Sequence, residues 1–322
     1  MTEAFFSDFA ASFLAVARVG LVLLAAALLV RGGLVRDGQV KALSEVTVRV
    51  FLPCFIFSNI TRNLEPATLG LGWTLPLFAA GVTATGFTFA WLVFRKDLPR
   101  DANLMAVSTL QSAGFLVLPI GQVLVPEAFE TFALYVFLYI LVHNPVLWSI
   151  GKLLVSRQPG ADRTGFSWRG ILTPPFIANL LALAFVFSGL REGIPQPVAD
   201  SAHFLGQATV PVATFILGAS LGAVPLHWKT GKKDTTRVLL VKFLLLPATM
   251  WMLLQWSGIA ARDPLLGLLL LLEAAAAPAT ALLLAIRTYG GDLHRIGSIY
   301  IFAYAFSLVA IPFWVALLPY AG

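Results

Sequence analysis

Two short stretches decide how this chain is interpreted: QSAGFLVLPIGQ at 111–122 and EAAAAPAT at 273–280. Each places a proline, Pro119 or Pro278, inside a long apolar run together with small and polar residues. A proline within a helix removes one backbone hydrogen bond, so the freed carbonyl needs another partner. We expect both runs to be interrupted helices with polar backbone at the break. The alternative is a simple kink that neighbouring side chains repair.

The composition around these stretches indicates a membrane protein. Of 322 residues, 58% are hydrophobic and 12% are charged, against roughly 25% charged residues in a soluble domain. A membrane-spanning helix needs about 20 mostly apolar residues. The chain has ten such runs, at 9–30, 42–61, 73–94, 103–125, 128–151, 170–190, 201–224, 238–257, 264–286 and 296–318. We therefore predict an all-α membrane protein of ten transmembrane helices, not a soluble enzyme.

The distribution of basic residues orients these helices. Sixteen of the 22 Lys and Arg residues follow the odd-numbered runs, and only Arg62, Arg191 and Arg262 follow the even-numbered ones. Because short loops rich in Lys and Arg stay in the cytoplasm, both termini are predicted to lie outside a bacterial inner membrane. The same spread of charge into short tracts argues against nucleic acid as a partner, despite the net charge of +6.

An odd number of helices in each half makes the two halves inverted copies of each other. Prolines at matching places support this repeat, because Pro53 and Pro119 are followed by Pro211 and Pro278 after 158 and 159 residues. We divide the chain into a first repeat at 1–154, a cytoplasmic linker at 155–168, and a second repeat at 169–322. The linker contains the longest polar stretch in the sequence.

Glu273 is the leading candidate for binding a proton or another ion within the membrane. It lies nine residues into its apolar run, about 13 Å deep at 1.5 Å per residue. Inserting an acidic side chain at that depth costs on the order of 3 kcal/mol of free energy, and such a residue by default marks a proton or ion pathway. The alternative is that Glu273 is bonded to a neighbouring side chain and serves packing. Three cations within the runs could pair with it or hold a carboxylate, and the sequence does not rank them: Arg18, Arg49 and Lys242.

Other polar residues in the runs have ordinary structural explanations. His143 is interpreted as a packing residue, and intramembrane Asn and Ser commonly bond helices together. Gly218–Gly222 matches the hydrolase pattern Gly-x-Ser-x-Gly around Ser220, but that motif needs a strand-to-helix turn. Within an apolar helix the two glycines instead favour close helix packing. The single cysteine, Cys54, excludes an intramolecular disulfide. No metal centre or cofactor is expected beyond a coupling proton or sodium ion.

The order of several motifs resembles the auxin efflux carrier family, a relative of the bile-acid/sodium symporters. The resemblance covers almost the whole chain and is carried by LPCFIFSNI, QSAGFLVLPIGQ, IANLLALAF, VPVATFILGASLG and EAAAAPATALLLAIRTYGGD. It implies a five-plus-five inverted repeat whose fourth and ninth helices break and cross at proline, with the substrate held there. It also implies a transport domain of helices 3–5 and 8–10 that moves against helices 1, 2, 6 and 7.

The resulting hypothesis is alternating-access transport of small organic anions such as malate, malonate or auxin-like acids. The ion-coupling residues would be Glu273 and Gln111, with sodium as an open alternative to the proton at Glu273. The predicted substrate-binding residues are Gln111, Ser112, Gly114, Pro119, Pro278, Thr280 and Asn144. The partners would be the anion, the lipid bilayer and, as an option left open, a second copy in a homodimer. Sodium-driven symport of bile-acid-like amphipathic anions and, remotely, an intramembrane hydrolase are the rival functions.

Overall fold

The computed structural model describes residues 2–98, 100–156, 170–225, 231–289 and 293–318. In these residues the regular structure is helical, and one isolated antiparallel bridge joins Gln111 to Pro278. The predicted linker, 155–168, is described only at its first two residues, and the rest of it lies outside the described residues.

Eight α-helices occur in the part of the chain that was assigned to the first repeat. They are α1 Thr2–Arg31, α2 Asp37–Val46, α3 Leu52–Asn63, α4 Leu75–Phe94, α5 Ala102–Thr109, α6 Val117–Leu124, α7 Phe129–Val146 and α8 Lys152–Ser156. Five-residue π-helical turns at Thr47–Phe51 and Leu147–Gly151 join α2 to α3 and α7 to α8 without a gap.

Nine α-helices follow in the described residues of the second half. They are α9 Pro174–Phe187, α10 Gln196–Gln207, α11 Thr209–Gly222, α12 Lys232–Leu240, α13 Leu246–Ser257, α14 Ile259–Arg262, α15 Pro264–Ala275, α16 Thr280–Tyr289 and α17 Leu293–Ala316. A third π-helical turn, Val241–Leu245, joins α12 to α13. Local chemistry sets some of these limits: the Asp263 side chain caps α15 by accepting from the Leu266 N–H at 2.9 Å, directly before Pro264.

Six helices are long and apolar enough to cross a membrane, within the described part of the chain. They occupy Phe5–Arg31, Gly70–Asp97, Pro126–Ser156, Gln196–Gly222, Lys232–Ser257 and Arg295–Ala316. Two further apolar helices, Pro174–Phe187 and Pro264–Ala275, are shorter than a full span. The chain is thus a multi-pass helical membrane protein.

Two of the π-helical turns lie shortly before a proline. Pro53 and Pro247 are each the second residue after such a turn. Proline has no N–H to donate and its ring crowds the carbonyl four residues earlier, so a locally wider turn accommodates it without ending the helix. The turn before Pro247 carries Lys242.

Close packing of α11 against α1 confirms the structural interpretation of the Gly218–Gly222 pair. A Cβ atom on Gly218 would lie 2.3 Å from the Leu23 carbonyl oxygen, and one on Gly222 would lie 2.5 Å from that of Ala27. Both obstacles are backbone atoms that cannot rotate away. Ser220 lies between them within the continuous helix α11, not at a strand-to-helix turn. The geometry that a nucleophile elbow requires does not occur there.

We expect Gly218→Ala to lower the stability of the folded protein by about 1–3 kcal/mol, because the new methyl group forces two helix backbones apart. Thermal unfolding of the purified protein in detergent measures this loss. Gly81→Ala is the matched control, since a Cβ at Gly81 in α4 meets nothing within 4 Å. Equal unfolding temperatures for the two variants would contradict the tight α1–α11 contact.

Candidate functional site

Two non-helical segments, at 110–116 and 276–279, lie against each other in antiparallel fashion. The Ser112 N–H donates to the Ala277 carbonyl at 2.9 Å, and the Ala279 N–H donates to the Leu110 carbonyl at 3.0 Å. Gln111 and Pro278 face each other between these two bonds. In such a pair the facing residues exchange no backbone bond, so a proline fits opposite Gln111 without loss of a donor.

Two side chains from α7 hold the first segment. The Gln111 Nε2 donates to the Tyr139 hydroxyl at 2.6 Å, and His143 Nε2 lies 3.1 Å from the Gln111 carbonyl oxygen. Because a carbonyl only accepts, Nε2 carries the proton in this contact. Tyr139 and His143 are one helical turn apart, and both are buried.

Two tyrosines from α17 hold the second segment in a similar way. The Tyr300 hydroxyl donates to the Ala279 carbonyl at 2.7 Å, and the Tyr304 hydroxyl donates to the Pro278 carbonyl at 2.9 Å. Both rings are buried and are again spaced by one helical turn. Each of the two segments is therefore fixed to its partner segment and to one neighbouring helix, which satisfies backbone groups that have left a helix in an apolar interior.

A buried lysine and a buried glutamate flank these segments. Lys242 and Glu273 are both 0% exposed, and the Lys242 ammonium donates to the Thr109 carbonyl at 3.1 Å. Lys242 and Glu273 are electrostatic neighbours, and the Gln111 amide lies beside the Glu273 carboxyl. Among the described residues, however, neither Glu273 carboxyl oxygen has a hydrogen-bond partner, and Gln111 Oε1 also has none.

The structure separates the three cations that the sequence left unranked. Arg49 is 69% exposed at its side chain and forms an ion pair with Glu45 at 2.7 Å. Arg18 is exposed on α1. Only Lys242 reaches the buried site. Burying a charged side chain this deep costs free energy unless the charge has partners. Lys242 has such partners in Glu273 and the last carbonyl of α5, so of the three cations it is the candidate for this site.

The predicted site residues fall into two groups. Gln111, Ser112 and Pro278 meet at the backbone bridge, and Glu273 is beside it. Gly114 lies farther along the first segment, Thr280 is the first residue of α16, and Asn144 follows His143 on α7. These three residues stay predictions as substrate contacts.

Pro119 departs from the expected position. It is the third residue of α6, where its missing N–H belongs to the unpaired first turn, and the non-helical segment lies upstream of it. Gln111, and not Pro119, faces Pro278. The expectation that the first run crosses its partner at Pro119 is therefore wrong in position.

Four contributors were not identified as site residues from the sequence: Tyr139, His143, Tyr300 and Tyr304. His143 was interpreted as a packing residue, although it contacts the Gln111 carbonyl. The usable signal was a pair of polar aromatic residues spaced by four on an apolar helix, because a buried tyrosine hydroxyl usually needs a partner. Their target could not be predicted, since it lies on a distant segment of the chain.

Comparison with known proteins identifies the family of this chain. The family described as membrane transport protein matches residues 11–315. An uncharacterized transporter of Methanocaldococcus jannaschii is 25% identical over 292 residues, covering 88% of this chain and 91% of that protein. Protein PIN-LIKES 1 of Arabidopsis thaliana is 22% identical over 339 residues, covering 85% of this chain and 71% of that protein. With the family matched over nearly its whole length, the chain belongs to the membrane transport proteins of the auxin efflux carrier family.

Proposed function

We propose that this protein is a secondary active transporter of small organic anions, with carboxylates such as malate, malonate or auxin-like acids as the substrate class. The observation that carries the proposal is the hydrogen-bonded pair of non-helical segments beside the buried Glu273 carboxyl, whose oxygens have no hydrogen-bond partner in the described part of the chain. Backbone outside a helix is tolerated inside a membrane protein where it is buried in protein or lines a cavity, and broken helices of this kind form transporter binding sites.

The proposed topology has ten spans in two inverted repeats, at 1–154 and 169–322, with both termini outside a bacterial inner membrane. Helix 4 would consist of α5 and α6, and helix 9 of α15 and α16. Two observations favour the repeat: each pair is separated by a short non-helical segment, and the side chains that hold these segments match. Tyr139 and His143 precede Tyr300 and Tyr304 by the same 161 positions.

The substrate carboxylate would bind where donors converge around the paired segments. The hydroxyls of Ser112 and Thr280, the Asn144 amide and the N-terminal amides of α16 supply such donors, and the start of a helix favours an anion. Gly114 leaves room, because a Cβ there would meet nothing within 4 Å. Gln111 would act mainly by fixing the first segment, since its Nε2 is already engaged by Tyr139.

Alternating access would follow from movement of the paired segments together with the helices that hold them. Helices 3–5 and 8–10 would move as one body against helices 1, 2, 6 and 7, and α1 with α11 would belong to the static part. Their close backbone contact at Gly218 and Gly222 suits a rigid element. Coupling would occur at Glu273, through a proton or a cation that neutralises its buried charge.

Reconstitution in liposomes tests the substrate class. We expect uptake of labelled malonate or malate above that of empty liposomes. In the double variant Ser112→Ala/Thr280→Ala, the half-saturating concentration should rise about tenfold, as expected for the loss of about 1.4 kcal/mol of hydrogen bonding. Thr88→Ala on the exposed face of α4 is the control. A panel of carboxylates with no uptake would refute the proposal.

A further inference from the structure

Lys242 is fully buried and places its amino group at the end of α5 within this site. It lies on the π-helical turn Val241–Leu245, and its ammonium donates to the carbonyl of Thr109, the last residue of α5. The last carbonyls of a helix have no partner within the helix and carry partial negative charge. The ammonium is thus bound at the end of a helix that stops inside the protein.

The residues of this site also carry oxygen atoms of the kind that an alkali cation prefers. Besides the Thr109 carbonyl, which the ammonium contacts, four buried oxygens have no hydrogen-bond partner among the described residues: Thr109 Oγ1, Gln111 Oε1 and both carboxyl oxygens of Glu273. Hard cations bind carbonyl, amide and carboxylate oxygens, and in transporters the unwound carbonyls and half-helix ends coordinate sodium. A buried cluster of this chemistry needs positive charge.

A protonated Lys242 supplies that charge. Lys242 interacts electrostatically with Glu273 from α15 and with His143 from α7. A sodium ion beside it would add a second positive charge in a poorly hydrated interior. Two like charges about 4 Å apart repel by roughly 4 kcal/mol even at an effective dielectric constant of 20.

We propose that Lys242 is the built-in cation of this site, and that transport here is consequently independent of sodium. The inference rests on the proposed function and decides between its proton-coupled and sodium-coupled forms. It also assigns a role to Lys242 that is distinct from substrate contact: the lysine neutralises Glu273 and stabilises the exposed end of α5. Removal of the ammonium should then create a vacancy for an alkali cation.

The test is thermal unfolding of the purified protein, in sodium chloride and in choline chloride of equal ionic strength. Wild type should unfold at the same temperature in both salts. Lys242→Ala should be less stable in choline, and sodium should restore part of that loss in a saturable manner, by about 3 °C or more. Lys242→Arg should stay indifferent to sodium. Lys242→Ala/Glu273→Gln should lose the sodium response because a ligand oxygen and its charge are gone.

Saturable stabilisation of wild type by sodium would overturn the inference, as would a Lys242→Ala protein that does not respond to sodium. If Lys242→Ala does not fold, Lys242→Gln, which keeps most of the side-chain length, takes its place with the same expected response. The assay requires no substrate, so its outcome is independent of carboxylate uptake. A failure of the proposed transport function and a failure of the lysine assignment are therefore distinguishable.

Discussion

Glu273→Gln should reduce gradient-driven uptake by on the order of 100-fold, equivalent to about 2.7 kcal/mol. The side chain keeps its size, so the packing of α15 should survive. What disappears is the buried carboxylate beside the paired segments, and with it the group that can take up and release a proton. A protonated Lys242 also loses its counter-charge, which is costly in a buried site.

The measurement is uptake of labelled carboxylate in liposomes with and without an imposed proton gradient. Glu127→Gln is the matched control, because Glu127 is exposed and the chemical change is identical. We expect the control to transport at the wild-type rate and to respond to the gradient. Unchanged gradient dependence in Glu273→Gln would remove this residue from the coupling role and leave it with a structural one.

Ala279→Pro should reduce uptake at least roughly tenfold and should destabilise the fold by about 1–3 kcal/mol. The substitution removes the N–H that donates to the Leu110 carbonyl, one of the two backbone bonds between the segments. In an apolar interior that carbonyl has no water to replace the lost donor. Because Ala279 precedes the first residue of α16, proline there interrupts no helical hydrogen bond, so the effect reports on the bridge itself.

Uptake and thermal unfolding of the same preparation separate the two effects. Ala279→Gly is the control, since it alters the same residue and retains the N–H. We expect this control to keep most of the uptake, with a modest loss of stability from the added chain entropy. If proline and glycine at 279 gave equal uptake, the bond between the segments would have no part in transport.

Part of the candidate site was predictable from local sequence. Gln111, Ser112 and Pro278 were chosen because polar and small residues around a proline in an apolar run indicate a break, and the structure places all three at the backbone bridge. Pro119 was placed wrongly for a physical reason. Proline is as compatible with the first turn of a new helix as with the end of an old one, so its position alone does not locate the gap.

The cation beside Glu273 could not be chosen from the sequence. Arg18, Arg49 and Lys242 all lie in apolar runs, and a long side chain can extend to the membrane surface from several depths. Lys242 stays inside because its ammonium donates to the Thr109 carbonyl at the end of α5, 133 positions away. Arg49 also lies on a π-helical turn, but its side chain pairs with Glu45 of α2, the helix that runs into this turn.

The sequence by itself determined that most of the chain lies in the lipid bilayer, since long apolar runs separated by short basic tracts are typical of membrane-spanning helices. It also determined where polar groups interrupt those runs. Tertiary structure alone decided which interruptions meet, that Tyr139, Tyr300 and Tyr304 hold them, and that Lys242 is the cation at the site. The physical reason is that hydropathy is a property of each segment, whereas a hydrogen bond or a buried charge pair depends on the exact separation of atoms that belong to different segments.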